Sequence, residues 1–384
     1  MDVPTDPRWQ ARFLADLVRI ESINPETWAG GSGESAIAAR IADELRLIGL
    51  QPRLHEAGPG RTSVVAYLEG SGPRTLLLEA HTDTVQVEGM ADPFSGRVAD
   101  GRLYGRGSCD DKASLATFVG ALRALVRAGL TPPVTVGIVA AAGEEFSGRG
   151  IRALMEDGLR ADGVIVGEPT RLDVVVAHKG CVRAELHVHG RAAHSSRPEE
   201  GRNAVEAAAA IIGSLHTALD ADMANLAHPL VGAPTLAFTQ IAGGVGINTV
   251  PEHCVVRFDR RVVPGEDPRA VVRDLRAALA ALALPIGIRA EIHDPFTMDG
   301  PMAADPDGPL ARAVLAGARR HRAGAGLAGV TYGTDASRIA PFGVPAVVFG
   351  PGDVALAHTA DEWVDLAEVD LATRMTLDAI FAFA

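Results

Sequence analysis

Several short apolar runs in this chain break off onto histidines or carboxylates. Leu76–Leu78 leads through Glu79-Ala80 into His81 and Asp83. Thr135–Ala140 runs into Gly143-Glu144-Glu145, Val164–Val166 into Gly167-Glu168-Pro169, and Ala346–Phe349 into the loop that reaches His358. Runs of this length and composition suit buried parallel strands, and in open α/β sheets ligands sit just past the carboxyl ends of such strands. His81-x-Asp83 suits a metal ligand whose second ring nitrogen is fixed by a carboxylate. Asp110 and Asp111 lie in a glycine-rich turn just ahead of a helix, where they serve equally well as helix caps or as ligands. Glu144-Glu145 follows an apolar strand, and adjacent residues point apart, so one can bind a metal while its neighbour moves protons. Two histidines with three carboxylates match the mixed nitrogen and oxygen ligation that zinc accepts.

The elements that must position these groups follow from periodicity. Helices are predicted over Trp9–Arg19, from Ile37 to Ile48, and from Leu115 to Val126, the last two stopped by Gly49 and Gly129. Strands near Val64–Leu68, Thr75–Leu78 and Val164–Val166 continue a βαβ rhythm, the mark of an α/β layered domain with a largely parallel sheet. From Lys179 the texture changes. Val182, Ala184, Leu186 and Val188 alternate with polar residues, as do residues of Val255–Val263, and helices are expected from Asn203 to about Leu219 and over Pro268–Leu282. After Asp294 the α/β texture returns, with helices expected from about Leu310 to Arg320 and from about Leu366 to Phe383. The organisation predicted is a discontinuous domain, 1–178 and 294–384, carrying a smaller α+β insertion at 179–293.

At 384 residues the chain is long enough for two domains, and 47% hydrophobic with 22% charged residues is a globular composition. A net charge of −12 argues against nucleic acid or an anionic membrane as partner. Cys109, Cys181 and Cys254 are too few and too scattered for a disulfide framework, the first residues lack the pattern of a signal peptide, and no apolar run approaches bilayer-spanning length. The expectation is a reduced, cytoplasmic protein. The remaining histidines, among them His187 and His189, read as structural or surface groups.

Taken together, HTDTV, GRGSCDDK, AGEEFSG, VGEPT, GRAAHSSRPEEGRNAV, GGVGINTVPEHCVVRFDRR and GPGDVALAHTADEW resemble, in order and over nearly the whole chain, the co-catalytic zinc amidohydrolases and peptidases. That family includes acetylornithine deacetylase, succinyl-diaminopimelate desuccinylase, aminoacylase and carboxypeptidase G. The resemblance implies a phosphorylase/hydrolase-like α/β catalytic domain and an inserted ferredoxin-like lid through which subunits form a homodimer. It implies two Zn2+ per subunit, with Co2+ or Mn2+ as possible substitutes. Asp110 bridges them, His81 and Glu168 complete one site, and Glu145 and His358 the other. Glu144 is then the general base, Asp83 orients His81, and His194 reaches the partner subunit's active site to polarise the scissile carbonyl. Asn248 and Arg261 become substrate-carboxylate or oxyanion contacts, Gly333 and Thr334 line the pocket, and the Asp110–Asp111 peptide is cis.

The implied reaction is hydrolysis of the amide bond of an N-acyl amino acid or short peptide. HTADEW, VVFGPGD and NTVP look most like the acetylornithine deacetylases, which makes N-acetyl-L-ornithine the leading substrate. Glu168 in place of Asp favours the deacetylase and desuccinylase side, whereas Asp111 stands where methionine is common among the deacetylases. A desuccinylase, a carboxypeptidase or dipeptidase, and a non-catalytic binding protein are the alternatives.

Overall fold

The computed structural model describes residues 3–384. The elements that matter for function are, in chain order, α1 (Pro7–Arg19), α2 (Ser35–Leu47), β1 (Arg53–Glu56), β2 (Thr62–Leu68), β3 (Thr75–His81), α3 (Lys112–Arg127), β4 (Thr135–Ala141), β5 (Gly163–Val166) and β6 (Val174–His178). They continue with β7 (Gly180–His189), α4 (Ala204–Asn225), β8 (Thr235–Gly243), β9 (His253–Val262), α5 (Pro268–Ala280), β10 (Arg289–Ile292), α6 (Pro309–His321), β11 (Ala346–Val348) and α7 (Leu366–Ala382). The fold is α/β. Packing divides the chain into two compact units: Met1–Val176, Ala304–Ala328 and Thr334–Ala384 form the first, and Ala177–Ala303 with Gly329–Gly333 the second.

In the first unit the large sheet runs β1-β2-β4-β3-β5-β11-β6. Its centre, β4-β3-β5-β11, is parallel throughout, while β1, β2 and β6 pair antiparallel. The predicted parallel character therefore belongs to the middle of the sheet, and those middle strands are the ones whose ends carry the chemistry. Leu76, Leu77 and Leu78 are each no more than 1% exposed, and fully burying such a side chain stabilises the fold by about 1.5–3 kcal/mol. Helices α1, α3, α6 and α7 contribute Phe13, Leu17, Phe118, Leu122, Val314, Met375 and Ile380 to one continuous core with these strands. Gln10, buried between helices, satisfies its amide by donating to Thr373 Oγ1 at 2.6 Å and to the Ala116 carbonyl at 3.2 Å.

The second unit is an antiparallel sheet ordered β8-β9-β7-β10. The alternation read from sequence is realised on β7, where Val182, Ala184, Leu186 and Val188 are buried and the residues between them are partly exposed. Helices α4 and α5 cover the buried face with Ile211, Leu215, Val272 and Leu275. The expected return to the main domain at 294 falls short of the observed boundary. Thr297–Asp299 pairs with β7, Thr297 standing opposite Arg183, and this keeps the chain in the second unit to Ala303. Strand β8 lies outside the expected elements, because most of its residues are exposed and its inner face is marked only by Leu236 and Phe238 before the register shifts.

Candidate metal centre

Four parallel strands deliver the ligating groups from their carboxyl ends. His81 is the last residue of β3, Glu144 and Glu145 follow β4, Glu168 follows β5, and His358 lies in the loop beyond β11. Asp110 reaches the same place from the turn before α3. Its two carboxylate oxygens face different imidazoles: Oδ1 lies 3.0 Å from His81 Nε2, and Oδ2 lies 3.3 Å from His358 Nε2. Glu145 Oε1 lies 3.1 Å from the same His358 nitrogen. Ligating atoms of His81, Asp110 and Glu145 lie within 4.8 Å of one another, as do those of His81, Glu144 and Glu168. His81, Asp110, Glu144, Glu145, Glu168 and His358 thus converge in the first unit.

The backbone is shaped around these side chains. The Asp110–Asp111 peptide is cis. Asp111 occupies the N-cap position of α3 but makes no capping bond with its side chain, so the helix-cap reading of the acidic pair fails. Gly143 has φ +83°, and a side chain there would press on Arg61. A Cβ on Gly167 would sit 2.5 Å from Ser114 Cβ and 2.9 Å from Asp111 Oδ2, so only glycine admits this approach beside Glu168. His358 takes φ 59°, a left-handed conformation unusual for a residue with a side chain and often found where function fixes the backbone.

Asp83 has a wider part than sequence suggested. The His81 ring meets the Asp83 carbonyl through Nδ1 at 3.0 Å, with the nearer carboxylate oxygen at 3.5 Å. The carboxylate accepts from the backbone N–H groups of Gly143, Glu144 and Glu145 at 2.9, 2.9 and 3.1 Å, and from Asn24 Nδ2 at 2.8 Å. Asp83 therefore holds the Glu144-Glu145 turn in place as well as bracing the ring. Burial works against its charge, but His81, Asn24 and the turn lower its pKa.

Two anchoring residues escaped the sequence reading. Glu362, fully buried, accepts from the N–H groups of Cys109 and Asp110 at 2.9 and 3.1 Å and pairs with Arg106. Arg338 donates to Glu144 Oε1 at 2.6 Å and to Asp335 Oδ1 at 2.7 Å. Glu362 lies within HTADEW, where the histidine is the residue whose type points to a ligand. Arg338 follows YGTDAS, a short polar stretch with no periodicity, and its link to Glu144 exists only in the folded chain.

Electrostatics give the cluster its appetite for cations. Burial pushes Glu144 up to about 8, with Arg338 opposing and Asp335 adding to the rise. Burial, then the charge of Asp110, raises Glu145 and Glu168. Burial also opposes the charge on Asp110, but hydrogen bonds from His358 and His81 outweigh it and hold the carboxyl below its usual range. His358 is pushed up to about 11 by its bonds to Asp110 and then Glu145. So many carboxylates sharing two imidazoles and one guanidinium in a desolvated site is the donor chemistry of bound divalent cations, and the residues fit such ions.

The other predicted residues sit in the second unit, apart from Thr334, which is buried in the first. His194 is exposed, its Nδ1 2.8 Å from Ser196 Oγ. It stands opposite Thr249, and the Ser195 N–H donates to the Asn248 carbonyl at 2.9 Å, so His194 and Asn248 are neighbours. Arg261 pairs with Asp259 at 2.7 Å, and Gly333 is exposed.

Residues 77–382 match peptidase family M20/M25/M40. An acetylornithine deacetylase of Proteus mirabilis is 31% identical over 369 residues, 92% of this chain and 91% of that one. An acetylornithine deacetylase of Myxococcus xanthus is 34% identical over 328 residues, 83% of each. The structure of a tripeptidase from Staphylococcus aureus superposes with a TM-score of 0.81 at 21% identity, covering 99% of both chains. The chain belongs to peptidase family M20/M25/M40, and its reaction is metal-dependent hydrolysis of an amide bond. No helix among the described residues is long and apolar enough to cross a membrane.

Proposed function

We propose that this protein is a two-zinc amidohydrolase that removes the acyl group from an N-acyl amino acid, with N-acetyl-L-ornithine as substrate. The observation that carries the dinuclear reading is Asp110, whose two oxygens address His81 on one side and His358 on the other. Glu168 then belongs with His81, and Glu145 with His358. When bound, the two ions supply Lewis acidity to the scissile carbonyl and to the attacking water. Glu144 takes the proton from that water and returns it to the leaving nitrogen, the role of a carboxyl held beside the metal ligands. Arg338 holds Glu144 in one rotamer and balances its charge. Asp83 fixes both His81 and the turn that carries the base.

The substrate rests on the relatives, which are acetylornithine deacetylases. The remaining roles rest on the motifs: His194 polarises the carbonyl across a homodimer formed through the inserted domain, Asn248 and Arg261 receive the substrate carboxylate or the oxyanion, and Gly333 and Thr334 line the pocket. The test is the initial rate of hydrolysis on N-acetyl-L-ornithine, other N-acetyl amino acids, N-succinyl-diaminopimelate and dipeptides, with a chelated control. Rapid, chelator-sensitive release from N-acetyl-L-ornithine alone is expected. A dipeptide-led profile would overturn the substrate.

A further inference from the structure

The uncovered face of the second unit's sheet carries a concentration of imidazoles that the catalytic reading does not use. His187 and His189 project from β7 two residues apart, and therefore on one face. His253, the first residue of β9, stands directly opposite His189, while Val255 stands opposite His187. On the other flank of β7, Glu291 stands opposite His187 and Arg289 opposite His189. His187 Nδ1 lies 3.3 Å from His253 Nε2, and one ring nitrogen from each of His187, His189 and His253 lies within 4.8 Å of the others. Tetrahedral ligation with bonds of about 2.0–2.1 Å separates ligand nitrogens by about 3.3–3.4 Å.

The tautomer of His187 is arranged for ligation. Its Nε2 lies 3.0 Å from Glu185 Oε2, and Arg257 Nε donates to the other oxygen of Glu185 at 2.8 Å. A carboxylate that accepts from Nε2–H leaves the lone pair on Nδ1, the nitrogen that faces His253. Orientation of a ligating imidazole by a carboxylate on its other nitrogen is the usual surrounding of a metal-bound histidine. The ring of His293 stacks on that of His187 with centroids 3.7 Å apart and planes 10° apart, which restricts His187 further. The His187 side chain is only 15% exposed, against 34% for His189, so the site opens to solvent on one side.

We propose that His187, His189 and His253 form a separate site for a late first-row divalent cation such as Zn2+, Ni2+ or Cu2+. Three imidazoles select this class of ion and reject Mg2+ and Ca2+, which prefer oxygen. The ion ties β7 to β9 by a link beyond their ladder of backbone bonds and leaves a coordination position for water. The site is independent of the hydrolytic centre, so its failure and that of the proposed activity are separable.

The experiment is equilibrium dialysis of the whole protein against Zn2+, with the bound metal counted per chain. Wild type, His253→Ala, His253→Asn and His293→Ala are compared, and hydrolysis is assayed alongside. One zinc equivalent fewer in both His253 variants, with full content in His293→Ala and unchanged hydrolysis in all, is the expected result. Equal content in wild type and both His253 variants would overturn the site. Loss in His293→Ala with retention in the His253 variants would also overturn it, by assigning the ion to Glu185, His187 and His293. Anomalous diffraction at the zinc edge from wild-type crystals needs no variant: a peak between His187 Nδ1 and His253 Nε2 supports the proposal, and its absence from zinc-soaked crystals contradicts it.

Discussion

The hydrolytic centre and the histidine face of the second unit hold similar donor atoms in opposite ways. At the centre, His81, Asp110 and Glu168 are buried and Glu144 and Glu145 largely so, and the backbone is fixed by partners beneath it: Glu362 under Asp110 and Asp83 under Glu144-Glu145. On the sheet face the imidazoles are partly exposed, and strand register alone brings them together. The first arrangement gathers carboxylates whose charge burial opposes and bound cations relieve. The second accumulates nitrogen donors that bind a soft enough ion or stand idle without strain. A site built for catalysis shows itself by the structural cost spent on positioning; a site built by register costs little, and is correspondingly easy to overlook.

The sharpest way to break this comparison is Asp110→Ala, which removes the carboxylate whose two oxygens lie 3.0 Å from His81 and 3.3 Å from His358. Activity is expected to fall below detection, with loss of metal from the centre by elemental analysis; retention of both ions would dispose of the bridging role. Glu144→Ala is expected to lower kcat by about 10²–10⁴-fold with metal content intact, since general-base assistance contributes on that scale. Steady-state kinetics on the metal-counted variant decide it. Glu362→Gln tests the supporting layer. It leaves Arg106 buried beside a neutral partner, and metal affinity or activity is expected to drop by about 10–100-fold, as for other residues that orient ligands. Titration of the folded variant with zinc would show this, and unchanged affinity would argue that the Asp110 turn holds itself.

Proton linkage gives a smaller but directional effect. His358, pushed up to about 11, and His81, also raised, carry protons at neutral pH when no metal is bound, and a metal needs both imidazoles neutral. Zinc binding at pH 7 therefore releases protons, and affinity rises with pH by roughly tenfold per unit for each proton displaced. Calorimetry in buffers of differing ionisation heat measures the release; a buffer-independent heat would contradict it.

Much of the hydrolytic centre was legible because each group follows an apolar strand of the parallel sheet, where the fold class already places ligands. His81, Glu145 and Glu168 needed no long-range information beyond that rule. Arg338 and Glu362 did, since each acts on a residue distant in sequence. The helix-cap alternative for Asp110 and Asp111 could not be settled from spacing, because a capping acid and a bridging ligand look alike before a helix. The domain boundary slipped for a similar reason: Thr297–Asp299 is too short to announce itself as a strand and is held by pairing with β7. Likewise His187 and His189 alone are two polar residues on an exposed strand face. Only the register that sets His253 against His189 turns them into a cluster.

The most direct test of the central claim is to add zinc stepwise to metal-stripped protein while following hydrolysis of N-acetyl-L-ornithine. Two ions bridged by Asp110 predict that full turnover requires the second equivalent bound at the centre and that chelation abolishes it. Full turnover with a single equivalent, or in the presence of chelator, would contradict the dinuclear account.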